Sequence, residues 1–209
     1  MTQPVIAVLD YGIGNLHSAQ KALEKGGGDA RLTSDPALIA AADGVVLPGV
    51  GAFGACMASL RSAGLEDPAL AAVASGRPFL GICVGMQMLF SGSEEDVGVT
   101  GLGVIPGTVE WIPSTNGFKI PQMQWNRLDV GLPADPMLAG LCEDAWVYFV
   151  HSLHGVPDDR STVAATVDYG VPLNAAFRQR NVFAVQFHPE KSSEPGLRML
   201  ANFVEVCGE

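Results

Sequence analysis

Basic residues are scarce in this sequence: 12 Lys and Arg stand against 22 Asp and Glu, giving a net charge of -10. Nothing gathers those few cations into a patch, and binding a polyanionic backbone depends on basic side chains that neutralise phosphates. The composition therefore argues against nucleic acid as a partner. Long hydrophobic runs are missing too. The longest, such as Ala145 to Val150, fall far short of the ~20 residues that span a bilayer. The opening Met1-Thr2-Gln3-Pro4 carries no basic segment ahead of its apolar stretch. A soluble, cytoplasmic protein without a membrane partner is expected. Cysteine is sparse as well. Cys56, Cys83, Cys142 and Cys207 make no CxxC pair and no close cluster with histidine, so neither a zinc site nor a disulfide framework is signalled, and no metal or cofactor is expected.

What the chain does have is apolar content. With 48% hydrophobic residues in 209, it can bury a full core as one domain over residues 1–209. Val5 to Leu9 is a continuous apolar run ending at Asp10. A Gly-rich turn follows, then Leu16, Ala19 and Leu23 at helical spacing. The same strand, turn and helix recur at Gly44 to Leu47 with Phe53, Met57 and Leu60, and at Phe79 to Ile82 with Met86, Leu89 and Phe90. Apolar strands alternating with amphipathic helices predict a mostly parallel sheet covered on both faces. After about Gly98 the pattern changes. Val109 to Ile112, Arg127 to Val130, Ala145 to Val150, Val163 to Tyr169, Leu173 to Arg178 and Val182 to Phe187 read as successive strands with short turns. Helical spacing returns only at Pro195 to Val206, with Leu197, Leu200, Phe203 and Val204 on one face. The fold class is α/β, with helices on both faces of the sheet and an antiparallel excursion in the second half.

Gly81-Ile82-Cys83-Val84-Gly85 has the shape of a nucleophile elbow, in which a strand feeds a sharp turn and small flanking residues permit a strained backbone. The Val84 amide, at the start of the following helix, favours negative charge on a thiolate or a tetrahedral oxyanion. Alone, the five residues fit an inert buried cysteine at a strand end better than a nucleophile. Farther on, Val182 to Phe187 runs into His188-Pro189-Glu190. Proline keeps the preceding residue extended, and residues two apart in an extended segment project to one side. Glu190 would then hold the His188 imidazole and stabilise its imidazolium while Cys83 loses its proton. The glycines of Pro48-Gly49-Val50-Gly51 let backbone amides turn toward a substrate oxygen; the plain alternative is a βα connection. His17, His151 and His154 share no metal-like spacing.

Gly81-Ile82-Cys83-Val84-Gly85-Met86-Gln87 and Gln186-Phe187-His188-Pro189-Glu190 together resemble the class I glutamine amidotransferases. More narrowly, Asp10-Tyr11-Gly12-Ile13-Gly14-Asn15-Leu16, Pro48-Gly49-Val50-Gly51-Ala52-Phe53, Ser93-Glu94-Glu95 and His188-Pro189-Glu190-Lys191-Ser192 resemble the glutaminase subunits of imidazole glycerol phosphate synthase. The resemblance implies a flavodoxin-like fold and a Cys83, His188, Glu190 triad that converts glutamine to glutamate and ammonia through a thioester. It places Val50 and Val84 in the oxyanion hole, with Gly49, Gly51, Gln87, Glu95, His151 and Ser152 around the glutamine. It also implies a cyclase subunit as heterodimeric partner, met by Asn15, Trp125, Tyr148 and Lys191. Three residues depart from the family pattern: Gln122 for His and Gln124 for Gly in a Pro-His-Met-Gly-Trp-Asn segment, and Leu153 where an aromatic commonly follows His-Ser. A glutaminase serving another acceptor, or an inert flavodoxin-like regulatory subunit, are the alternatives.

Overall fold

The computed structural model describes residues 3–114, 117–132, 135–141 and 144–209, so Cys142 lies outside the described residues. In chain order its strands are β1 (Val5–Leu9), β2 (Asp29–Thr33), β3 (Gly44–Gly49), β4 (Phe79–Cys83), β5 (Phe90–Ser93), β6 (Ile105–Trp111), β7 (Gln122–Arg127), β8 (Asp129–Val130), β9 (Trp146–His151), β10 (Leu153–Pro157), β11 (Val163–Asp168), β12 (Pro172–Gln179) and β13 (Val182–Val185). The helices are α1 (Leu16–Lys25), α2 (Pro36–Ala41), α3 (Phe53–Ser62), α4 (Glu66–Ala74), α5 (Val84–Met88) and α6 (Ser193–Cys207).

One sheet runs in the order β2-β1-β3-β4-β13-β12-β11-β8. Its first five strands are parallel and the rest antiparallel. The parallel part follows from strands such as Phe79–Cys83, apolar and buried at every position, which need cover on both faces. That cover includes α1, which buries Ala19, Ala22 and Leu23, and α6, which buries Met199, Leu200, Phe203 and Val204. The Phe203 ring stands edge-on to Phe183 of β13, their centroids 6.1 Å apart. Truncating a buried aromatic of this kind to alanine costs about 3–5 kcal/mol.

A small sheet, β10-β6-β5, and a ribbon, β7-β9, complete the strands. Phe90 of β5 meets Phe177 of β12 edge-on at 5.3 Å, and a Cβ on Gly155 of β10 would overlap the Phe90 ring. A glycine at that point lets the small sheet close against the large one. In the ribbon, Trp125 lies opposite Tyr148 and Met123 opposite Val150. Cross-strand partners share a face, and on this one Met123, Trp125 and Trp146 are exposed. Residues 122–127 thus form a paired strand, where the sequence reading saw a strand only from Arg127 onward.

Candidate active site

The turn at Cys83 is built by its neighbours. Cys83 itself has φ 56° and ψ -118°, a strained conformation for a residue with a Cβ. A Cβ on Gly85 would fall 1.9 Å from the Leu47 carbonyl oxygen, and one on Gly81 would meet Met86 and Leu89. Both flanking glycines are therefore steric requirements that let β4 turn at once into α5.

His188 follows β13, the strand paired with β4. Its Nδ1 lies 2.8 Å from Glu190 Oε1, with both side chains buried. His188 is extended, as the following proline leads one to expect, but Pro189–Lys191 is a turn of 3₁₀ helix, so Glu190 reaches the imidazole by curling back and not by continuing an extended segment. The His188 backbone is clamped by β9. Its amide donates to the Tyr148 carbonyl at 3.1 Å, while Ser192 Oγ donates to the His188 carbonyl and accepts from the Tyr148 amide. Burial alone would lower the imidazole pKa, but the adjoining Cys83 and Glu190 outweigh it and lift His188 to about 10. The arrangement favours an imidazolium beside the sulfur.

A cavity of about 260 Å³ brings together Cys83 and His188 with Val50, Gly51, Val84, Gln87, Glu95, His151, Ser152 and Lys191. Gly49, Glu190 and Asn15 lie outside it and line a smaller void that His188 also borders. Trp125 and Tyr148 lie on the ribbon. Gln87 Nε2 donates to Gln186 Oε1 at 3.0 Å, and the Gln186 amide in turn lies 4.0 Å from Cys83 Sγ. Glu95 accepts from the Phe53 amide and Asp96 from the Gly54 amide, both at 2.7 Å, so a carboxylate of the cavity wall is held at the α3 N-terminus. Gln186 and Ser192 carried no role in the sequence reading, although both stand inside the motif around His188. A groove of about 850 Å³ near Lys25 and Arg198 holds none of these groups. Among the described residues, no group of three or more His, Cys, Asp or Glu is placed to hold a metal, and no helix is long and apolar enough to cross a membrane.

His151 Nδ1 lies 2.7 Å from the Leu153 carbonyl, to which it can only donate. Burial pushes the ring down to about 4, so it is neutral and Nε2 must accept. Gln122 Oε1 lies 2.9 Å from Nε2 while Gln122 Nε2 is buried with no partner among the described residues; exchanging the two ends of the amide gives the accepting Nε2 its donor and satisfies both groups. The Leu153 carbonyl thus sets the tautomer of a residue in the cavity wall, and the departure at Gln122 supplies a side chain able to meet its other nitrogen.

Val50, expected from the resemblance to offer its amide to a substrate oxygen, follows the last residue of β3. Val45 N–H donates to Pro78 O, and the parallel register continues through Gly49 opposite Cys83. Alternate residues of a strand face the same neighbour, so the Gly49 carbonyl is turned toward β4 and the start of α5. The Val50 N–H, at the opposite edge of the same peptide plane, is turned away.

This fold and constellation are those of a glutamine amidotransferase. The family model for "Glutamine amidotransferase class-I" matches residues 7–207, and the chain belongs to that family. Within it, the chain is 52% identical over 207 residues to imidazole glycerol phosphate synthase subunit HisH of Syntrophotalea carbinolica, covering 97% of this chain and 100% of the relative. It is 50% identical over 202 residues to the subunit of the same name from Methanothermobacter thermautotrophicus, covering 97% and 98%. Among solved structures, a glutamine amidotransferase superposes with TM-score 0.77 at 23% identity, covering 98% and 99%. PurLQS from Thermotoga maritima does so at 0.76 and 20%, covering 98% and 99%. These two likenesses concern the fold alone.

Proposed function

We infer that residues 1–209 form the glutaminase subunit of an imidazole glycerol phosphate synthase, with Cys83 as nucleophile. The observation that carries the mechanism is the buried His188–Glu190 pair set against a cysteine on a positive-φ elbow. Cys83 Sγ attacks the carboxamide carbon of glutamine, His188 carries the thiol proton to the leaving nitrogen, and ammonia departs to leave a thioester. Water, deprotonated by His188, then releases glutamate and restores the thiol. Glu190 fixes the ring and favours its charged form. Val84 N–H and, once its peptide turns, Val50 N–H stabilise the tetrahedral oxygen. Glu95 faces the substrate ammonium, and Gln87, Gly51 and Ser152 its remaining polar groups.

Ammonia stays nucleophilic only while kept from bulk water, which favours direct transfer to a cyclase partner. The exposed Met123, Trp125 and Trp146 with half-buried Tyr148 supply an apolar docking face of the right kind. Its Tyr148 main chain is bonded to His188, which gives a docked partner mechanical access to the triad. Lys191 at the cavity mouth and Asn15 behind Glu190 complete the proposed contact region. Buried free thiols at Cys56, Cys83 and Cys207 suit a reducing cytoplasm.

The test is glutamate release from glutamine by the chain alone and with the cyclase subunit. Weak activity alone, strong stimulation by the cyclase, and loss of both in Cys83→Ala are expected. Full activity in Cys83→Ala would remove the nucleophile assignment, and an absence of stimulation would redirect the acceptor to another pathway.

A further inference from the structure

Two buried side chains that the mechanism does not use hold the Pro48–Gly51 turn from beneath. Tyr11, 5% exposed, donates its hydroxyl to the Pro48 carbonyl at 2.6 Å. Cys56, fully buried on α3, donates its thiol to the Val50 carbonyl at 3.2 Å. Burial raises both groups above their ordinary pKa values, so each remains a protonated donor at neutral pH. The peptides on either side of Gly49–Val50 are thus anchored, while the Gly49–Val50 peptide itself presents its carbonyl toward β4.

An amide donor at the oxyanion requires that this middle peptide turn by about half a revolution. With both anchors kept, the rotation would fall on ψ of Gly49 and φ of Val50. Among the described non-glycine residues only Cys83, Arg180 and Ser193 have positive φ, so Val50 starts negative, and half a turn would carry it into a region that a β-branched residue occupies only at high cost. Gly51, at φ 90°, can take up rotation on the other side. It does so only if the Val50 carbonyl swings with it and leaves the Cys56 thiol. Of the two anchors this is the weaker, because S–H is a poor donor beside a phenolic O–H. The Pro48 end is further stiffened by its ring and its strand pairing.

We propose that Cys56 is a positioning residue for glutamine hydrolysis: its thiol latches the Val50 carbonyl in the resting turn, Tyr11 is the fixed anchor, and the latch opens before the Val50 amide can meet the oxyanion. This rests on Cys83 being the nucleophile and names what holds the oxyanion hole unformed.

The test measures glutamate release by the full chain, alone and with the cyclase subunit, for wild type, Cys56→Ala, Cys56→Val, Cys56→Ser and Cys83→Ala, with thermal melting of each. Cys56→Ala and Cys56→Val, which lack a donor, raise kcat of the isolated chain at least threefold with KM within twofold, and the stimulation by cyclase falls in proportion. Cys56→Ser keeps a donor, a stronger one than the thiol, and does not raise kcat above wild type. A purely structural role for Cys56 would lower melting temperature without raising kcat or separating serine from valine. Unchanged kcat in both donor-less variants, or equal effects of serine and valine, overturns the latch. Activity that survives in Cys83→Ala overturns the nucleophile reading on which it rests, and is distinguishable because it appears without any change at Cys56.

Discussion

Asn15 Nδ2 donates to Glu190 Oε1 at 3.2 Å, the same oxygen that lies 2.8 Å from His188 Nδ1. The other oxygen of Glu190 is buried with no partner among the described residues, so Asn15 and His188 together set the direction of the carboxylate. A hydrogen bond to a charged group contributes about 1.5–3 kcal/mol. Asn15→Ala should lower kcat for glutamine hydrolysis about tenfold with little change in KM. Asn15→Asp, which sets a second carboxylate against Glu190, should cost more. Steady-state kinetics of the two variants check this, and wild-type kcat in both would confine Asn15 to the cyclase-facing role that the resemblance implies.

The elbow makes a stability prediction of its own. Because a Cβ on Gly85 would sit 1.9 Å from a backbone oxygen of β3, no side-chain rotation relieves the clash. Gly85→Ala should destabilise the protein by more than about 3 kcal/mol. Gly64→Ala provides the comparison, since it meets nothing within 4 Å and carries only the strain of φ 69°. Chemical denaturation of the two variants should separate them clearly, and equal midpoints would contradict the packing described at the β4–α5 junction.

The ribbon offers a third test. Met123 is 61% exposed and shares its face with Val150, next to Trp125 and Tyr148. A charge there meets no buried neighbour in the free chain but would have to be desolvated in a docked complex. Met123→Glu should leave the melting temperature within about 2 °C and reduce cyclase-stimulated glutaminase activity at least tenfold at limiting cyclase. Full stimulation at wild-type cyclase concentrations would move the docking face elsewhere.

The contrast between these residues explains what sequence could reveal. The elbow and the His-Pro-Glu segment were legible because their chemistry is local: glycines flank the cysteine, and the carboxylate follows its histidine by two positions. Tyr11 and Cys56 were silent, because their partners are backbone carbonyls brought near by the adjacency of β1, β3 and α3, and no side-chain pattern encodes a bond to a carbonyl. The strand Asp29–Thr33 was missed for a different reason. At the sheet edge it buries only Ala30 and Thr33, so neither a continuous apolar run nor strict alternation marks it. Helices α2 and α4 were also missed; α4 is rich in alanine and buries only Ala69 and Ala72, which blurs the 3.6-residue period. Gln122 stood out as a departure, yet its place opposite His151 emerges only once β7 pairs with β9.

That pairing has a pH consequence. His151 takes up a proton near its ordinary value of 6.5 when unfolded, but only near 4 in the folded chain, where burial and the neighbouring histidines His154 and His188 disfavour charge. Between those values the unfolded state binds more protons, so stability rises with pH. The contribution is complete above about pH 6.5 and is lost as pH falls toward 4, by about 3 kcal/mol over that window. His154, pushed down by burial, acts in the same direction, so the assignment needs a variant that changes one site. Thermal melting from pH 7.5 to 4.5 should fall more steeply for wild type than for His151→Gln, which has no proton to gain. Gln122→Glu should flatten the wild-type slope differently, because a carboxylate at 2.9 Å from Nε2 favours the imidazolium and raises the folded-state pKa toward the unfolded one. Parallel melting curves for wild type and His151→Gln across the acid range would show that His151 is not held neutral, and the donor role assigned to Gln122 would fall with it.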